Sequence, residues 1–162
     1  MNRKKREEIT IKTIRDAIER HGRFRFNVKG TSMFPFLIDG DQVIIEKVLP
    51  EDLSAGDIVM YVRNNLMVVH RIIRIYTTSK GRRLFILRGD NLSYEDPPVW
   101  EEDIGGKAAK VIRGDKEFSP PSFHPVVISA ARFLLSRARK IKSLLGLRIT
   151  QKEIEDILRR KR

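Results

Sequence analysis

The chain contains no cysteine. That excludes a disulfide framework, a thiolate nucleophile, an iron-sulfur cluster and any zinc site built on thiolates. Histidines number only three, at positions 21, 70 and 124, and their scatter provides no metal-ligand spacing, so neither a metal nor a cofactor is expected. Long hydrophobic runs are missing too. No window reaches 18 apolar residues without a charge, which argues against a membrane-spanning helix. The basic start MNRKKREE passes into ITIKTIRDAIERHG rather than into an uninterrupted apolar stretch, so neither a secretory signal nor an N-terminal anchor is expected. Gly and Pro are not enriched, and 41% of the 162 residues are apolar against 33% charged. Disorder throughout is therefore excluded, and one moderate hydrophobic core is expected.

Acidic residues are in deficit, 21 against 33 basic ones, for a net charge of +12. The excess is unevenly placed. Residues 1–25 carry 9 basic and 4 acidic side chains, residues 132–162 carry 11 and 3, and the intervening 26–131 carry 13 and 14. A nearly neutral body is flanked by two cationic ends.

Periodicity divides the chain into three parts: a basic amphipathic N-terminal helix over 1–22, a β-rich body over 23–118 and a basic helical extension over 119–162. Ile9, Ile14, Ala17 and Ile18 share a helical face that ends at His21-Gly22, where a helix can stop. From there Phe24, Phe26 and Val28 alternate with polar residues, as in a half-buried strand. Residues 42–48 and 57–62 are rich in Val and Ile and predict two more strands. Asn64-Asn65 between GDIVMYV and LMVVHRIIRI predicts a hairpin, and a second hairpin joins VHRIIRIY to RLFILRG. KAAKVIRG, after a Gly105-Gly106 turn, reads as the last strand. About six short strands and a flanking helix predict a mainly β, antiparallel domain. Past Pro120-Pro121, a stripe of Val127, Ala131, Leu134, Ala138, Ile141 and Leu145 predicts an amphipathic helix, and Thr150 with Glu153 forms a capping box for a final short one.

Three segments can carry chemistry. In GTSMFPFLIDGD, Ser32 follows a strand and Gly30 and precedes an apolar run stiffened by Pro35. Glycine permits a close backbone approach, and the Ser32 amide and its neighbours can face an oxyanion. Alternatively Ser32 is a local cap. His70, in VVHRIIRI, is the residue type that can take a serine proton near neutral pH, or else a structural strand histidine. In RGDNLSYEDPPVW, either Asp90 at the Gly-Asp-Asn turn or Asp96 in a rigid Asp-Pro-Pro segment can orient a histidine, though Asx turns also explain such aspartates.

Taken together, Gly30-x-Ser32-Met33-x-Pro35, Gly40-Asp41, Gly56-Asp57-Ile58-Val59, His70-Arg71, Gly89-Asp90-Asn91, Asp96 and Gly106-Lys107 resemble, in order, the serine peptidase superfamily of type I signal peptidases and LexA-like self-cleaving repressors. The resemblance spans about residues 26–114 and implies that superfamily's antiparallel β-rich catalytic fold. It implies Ser32 as nucleophile, His70 as general base and Asp96 as its orienting carboxylate, with Asp90 supporting or structural. Histidine at the base position resembles the Ser-His signal peptidases of the archaeal and endoplasmic reticulum type. Two departures stand out: the missing N-terminal anchor, and Gly30 two residues before Ser32, as in the repressor branch, where many signal peptidases have a serine.

The implied activity is peptide hydrolysis through an acyl-enzyme, in a cleft lined by Gly30, Ser32, Met33 and Pro35 that suits a peptide or protein substrate with small or apolar residues near the cut. The other reading is a catalytically silent or partner-dependent binding protein. The cationic C-terminal stripe fits an anionic membrane surface. Nucleic acid fits less well, because neither a helix-turn-helix nor an aromatic-interleaved basic strand is present. A cytoplasmic protein in peripheral contact with membrane is expected.

Overall fold

In the computed structural model, the described residues are Ile14, 16–64, 66–122 and the isolated positions Ala130, Leu134 and Arg137. The expected C-terminal helices otherwise lie outside the described residues, as does Asn65 of the first hairpin turn.

An N-terminal helix, α1, is described at Ile14 and 16–21. It stops where the sequence predicts: the Gly22 N–H donates to Ile18 O at 2.9 Å, and Gly22 takes the left-handed φ of 68° that favours glycine. Eight strands follow: β1 (Arg23–Asn27), β2 (Gln42–Glu46), β3 (Ile58–Arg63), β4 (Leu66–Thr77), β5 (Arg83–Arg88), β6 (Val99–Trp100), β7 (Ile104–Arg113) and β8 (Lys116–Phe118). They form one antiparallel sheet in the order β1-β2-β7-β3-β4-β5-β6, with β8 hairpinned onto β7.

β3 explains why the sheet has two cores. Its residues Ile58, Val59, Met60 and Tyr61 are all buried, and a strand covered on both faces reads as a continuous apolar run. Alternation sends Ile58 and Met60 to one core, with Ile14, Ile18, Met33, Leu37, Val43, Ile45 and Val111. Val59 and Tyr61 go to the other, with Leu53, Ile72, Phe85, Leu87 and Val99. α1 therefore covers one face through the apolar stripe visible in its sequence.

Gly105 and Gly106 correct one expectation. Rather than a turn before the last strand, both lie inside β7, where register slips opposite Met60 and Tyr61. The reason is contact. A Cβ on Gly105 would stand 2.4 Å from Met60 Cε, and one on Gly106 would stand 2.5 Å from the Glu46 carbonyl oxygen. Glycine lets neighbouring strands approach at the irregularity. β7 is also not the last strand, because the chain reverses at Gly114, with φ of 63°, into β8.

Of the four Gly-Asp pairs, Gly40-Asp41, Gly56-Asp57 and Gly89-Asp90 close loops between strands with an aspartate buried against a cation, whereas Asp115 at the β7-β8 turn is exposed. Asp41 accepts from Arg113 Nε and Nη2 at 2.8 and 2.7 Å, Asp57 pairs with Lys107 Nζ at 2.8 Å, and Asp90 pairs with Arg71. These short pairs pin the ends of the Ser32 loop, the start of β3 and the end of β5.

Candidate active site

Ser32 sits in the loop between β1 and β2. That loop is closed at its base by Val28 N–H to Asp41 O at 2.7 Å and Gly40 N–H to Val28 O at 3.0 Å. Gly30 bends the loop with φ of 87°, and its N–H donates to Asp39 Oδ1 at 2.9 Å. After Ser32 the chain makes one tight turn, with Phe36 and Leu37 N–H both donating to Met33 O. Met33 and Leu37 point into the first core, which anchors the turn and leaves Ser32 partly exposed. Met33 is only 3% exposed. Of the expected apolar cleft wall, Pro35 and Phe36 are half-buried instead, and Gly30 is exposed.

His70 lies in β4 opposite Val59 of β3, buried in the sheet. Its Nδ1 is 2.5 Å from Asp96 Oδ2. A carboxylate only accepts, so Nδ1 carries the proton, and in the neutral ring Nε2 is left as a bare acceptor. Asp96 is itself held by its backbone N–H, which donates to Leu87 O at 2.8 Å.

The loop after β5 brings Nε2 and Ser32 together. A Cβ on Gly89 would stand 2.7 Å from the Ser32 carbonyl oxygen and 3.0 Å from His70 Nε2, so the serine backbone and the free imidazole nitrogen crowd the same point. Asn91 ties the two loops: its N–H donates to Ser32 O at 2.7 Å, and its Nδ2 donates to Thr31 O at 3.2 Å. The Ser32 hydroxyl makes no hydrogen bond to His70 among the described residues. Loose pairing is usual where no substrate is bound. The Ser32 N–H likewise meets no protein acceptor among the described residues, which leaves it to donate elsewhere.

Asp90 does something different from Asp96. Its two oxygens accept from Arg71 Nε at 2.9 Å and Nη2 at 2.7 Å, both side chains being fully buried. Arg71 Nη1 also donates to Gly56 O and Pro121 O, each at 2.6 Å, and its guanidinium lies over the Phe36 ring. Arg71 thus fastens the Asp90 turn to the Ser32 loop and to the start of the C-terminal extension. Ser122 Oγ adds a bond to Asp57 Oδ1 at 2.7 Å. Burial alone would raise Asp57, but the Lys107 ammonium, the Ser54 N–H and the Ser122 hydroxyl outweigh it and hold the carboxyl below its ordinary value.

Tyr61, Asn91 and Arg71 are site residues whose roles the sequence left unread. Arg71 and Asn91 stand inside the recognised motifs and were quoted without a role. Tyr61 looks like any aromatic of a buried strand, yet its ring centroid lies 6.4 Å from that of His70.

A depression of about 410 Å³ lies over β1 and β2, lined by His21, Arg23, Phe24, Arg25 and Ile44. It includes none of Ser32, His70 and Asp96. Among the described residues no helix is long and apolar enough to cross a membrane.

A family model described as Peptidase S24-like matches residues 3–108. A search of curated proteins finds no match to the chain.

Proposed function

The chain belongs to the Peptidase S24-like family, and on that premise we propose that it is a serine endopeptidase with Ser32 as nucleophile, His70 as general base and Asp96 as the carboxylate that orients it. The observation that carries this reading is the 2.5 Å contact of His70 Nδ1 with Asp96, which leaves Nε2 facing the Ser32 loop at Gly89. Nε2 takes the Ser32 Oγ proton as the oxygen attacks the scissile carbonyl. Asp96 stabilises the imidazolium that results. The ring then returns the proton to the leaving amine, and a water activated by the same nitrogen hydrolyses the acyl-enzyme. The Ser32 N–H is the first oxyanion donor, because it is not engaged elsewhere in the described fold.

The substrate is an extended peptide with small or apolar residues near the cut. Among the described residues β1 pairs with β2 on one side only, and it leads directly into the Ser32 loop, so this edge accepts such a strand. Histidine as base resembles the Ser-His signal peptidase branch, while Gly30 resembles the repressor branch. The site is assigned to the cytosolic side, with the basic C-terminal segment on anionic lipid.

The test is a pH-rate series on an apolar peptide with wild type, Ser32→Ala and His70→Ala. Activity in wild type alone, rising as imidazole loses its proton, supports the mechanism. Undiminished cleavage by purified S32A refutes it.

That the Ser32 hydroxyl makes no hydrogen bond to His70 among the described residues favours a second reading, a partner-dependent protein whose Ser32-His70 pair closes only when a partner seats. Cleavage by wild type that appears only on adding a cell extract, and not with S32A, distinguishes it.

A further inference from the structure

Among the described residues β1 is an edge strand, and its two faces differ in chemistry. Gly22 O accepts from Lys47 N–H at 2.8 Å and Val28 N–H donates to Asp41 O at 2.7 Å, so Phe24 and Phe26 between them also direct their backbone groups toward β2. By alternation the N–H and C=O of Arg23, Arg25 and Asn27 point to the open edge. Side chains alternate as well. Phe24 and Phe26 are half-buried against the first core, with ring centroids 6.2 Å apart and planes within 12°, whereas Arg23, Arg25 and Asn27 are exposed on the other face.

Arg23 and Arg25 stand apart from the other arginines of the sheet. Arg63, Arg71, Arg74, Arg82, Arg83 and Arg113 each donate to a protein oxygen, while the side chains of Arg23 and Arg25 have no hydrogen bond or ion pair among the described residues. Opposite them on β2 are Glu46 and Ile44, and Glu46 forms no ion pair with Arg23 among the described residues. The depression of about 410 Å³ lies against both arginines, with His21 and Ile44 in its lining. Two cations without a partner therefore flank a hollow beside a row of free backbone groups.

We propose that the β1 edge docks an extended peptide in which acidic residues alternate with apolar ones. That this peptide is a substrate rests on the peptidase reading above; the docking itself does not. Residues paired directly opposite Arg23 and Arg25 turn their side chains to the same face as the arginines, so carboxylates there meet guanidiniums at the depression. Residues between them fall on the Phe24–Phe26 side, where apolar side chains pack. Because β1 leads into the Ser32 loop, this stretch of the peptide lies to one side of the cut. A phosphate surface, lipid or nucleic acid, would use the arginines and leave the backbone groups of the edge unused. A second copy paired through β1 would set Arg against Arg, like charges that oppose pairing.

The experiment titrates a blocked peptide of alternating Glu and Val into the full-length protein carrying Ser32→Ala, so that the probe is not consumed. It should bind more tightly than the Lys-Val version and than a peptide of the same composition with its glutamates grouped. Adding Arg23→Glu and Arg25→Glu, both at exposed positions, should weaken Glu-Val binding about tenfold or more and strengthen Lys-Val binding. Methylating the peptide amides along one edge should abolish binding and along the other leave it, because only one edge meets β1. In the active protein, Glu-Val residues on one side of an apolar cut should lower KM with kcat little changed, and the double charge reversal should cancel the gain. Equal affinity for Glu-Val and Lys-Val, indifference to methylation of either edge, or charge reversal that abolishes only vesicle binding or self-association, overturns the proposal. Docking by a protein whose wild type cleaves nothing sustains it and refutes the peptidase reading instead, whereas cleavage without docking does the reverse.

Discussion

His70 Nδ1 and Asp96 Oδ2 lie 2.5 Å apart, whereas Asp90 gives both of its oxygens to the buried guanidinium of Arg71. Two aspartates from one loop thus have separate partners, one an imidazole beside the partly exposed serine loop and the other a guanidinium in the interior.

Substituting each aspartate should separate these roles. Asp96→Asn should lower kcat about a hundredfold or more, because the amide cannot hold the Nδ1–H tautomer and the charged ring alike, while the melting temperature moves little. Asp90→Asn should instead destabilise the fold by about 3–5 kcal/mol through an uncompensated Arg71. Kinetics and thermal melts on the same samples check both. Full activity in D96N together with a well-folded, inactive D90N would reverse the assignment.

Gly89→Ala should be damaging despite its small size. The added methyl meets the Ser32 carbonyl at 2.7 Å, which is backbone and cannot swing away, and His70 Nε2 at 3.0 Å. Relief requires the serine loop to withdraw from the imidazole, so kcat/KM should drop by at least about tenfold, with an overpacking cost of roughly 1–3 kcal/mol. Steady-state kinetics beside urea unfolding would show it.

Acid should weaken the fold through Asp57. Its carboxyl is held below its ordinary value by Lys107, Ser54 and Ser122 against the opposing effect of burial. A depressed folded value means that this stabilisation is fully present above the unfolded value of about 3.9 and is lost as pH falls through the folded one. Urea midpoints measured from pH 2 to 7 should therefore decline less steeply in Asp57→Asn than in wild type, with a lower plateau at neutral pH. Parallel curves would remove Asp57 from the acid transition.

Vesicle binding should depend on the basic C-terminal segment. Residues 132–162 carry 11 basic and 3 acidic side chains, and attraction to anionic lipid follows cationic charge and apolar area. Deleting 123–162 should reduce co-sedimentation with anionic vesicles more than deleting 1–20, and added salt should weaken what remains. Binding that resists high salt and carbonate would contradict a peripheral contact.

Much of the site was legible in local pattern because its parts have local causes. Gly30 and Gly40 are needed for backbone at positive φ, and the Gly-Asp pairs mark loop closures, so both recur at recognisable spacings. The apolar alternation of β1 and the run in β3 likewise follow from which faces are covered. Gly105-Gly106 misled for an instructive reason. Two glycines read as a turn when only neighbours in sequence are considered, whereas here they answer to Met60 and Glu46 on adjacent strands.

The amino-acid sequence by itself determined the β-rich antiparallel class, the stop of α1 at Gly22, the absence of thiol chemistry and the identity of the candidate serine, histidine and aspartates. These follow from residue type and short-range periodicity. Only the tertiary structure decided which aspartate each cation or ring meets, that Gly89 is the point where Ser32 and His70 converge, and that the Tyr61 ring of β3 lies beside His70. Those contacts join β3, β4, the Ser32 loop and the loop after β5. Their geometry depends on strand order, register and bulges, which side chains far apart in the chain set jointly through packing, and which local pattern does not encode.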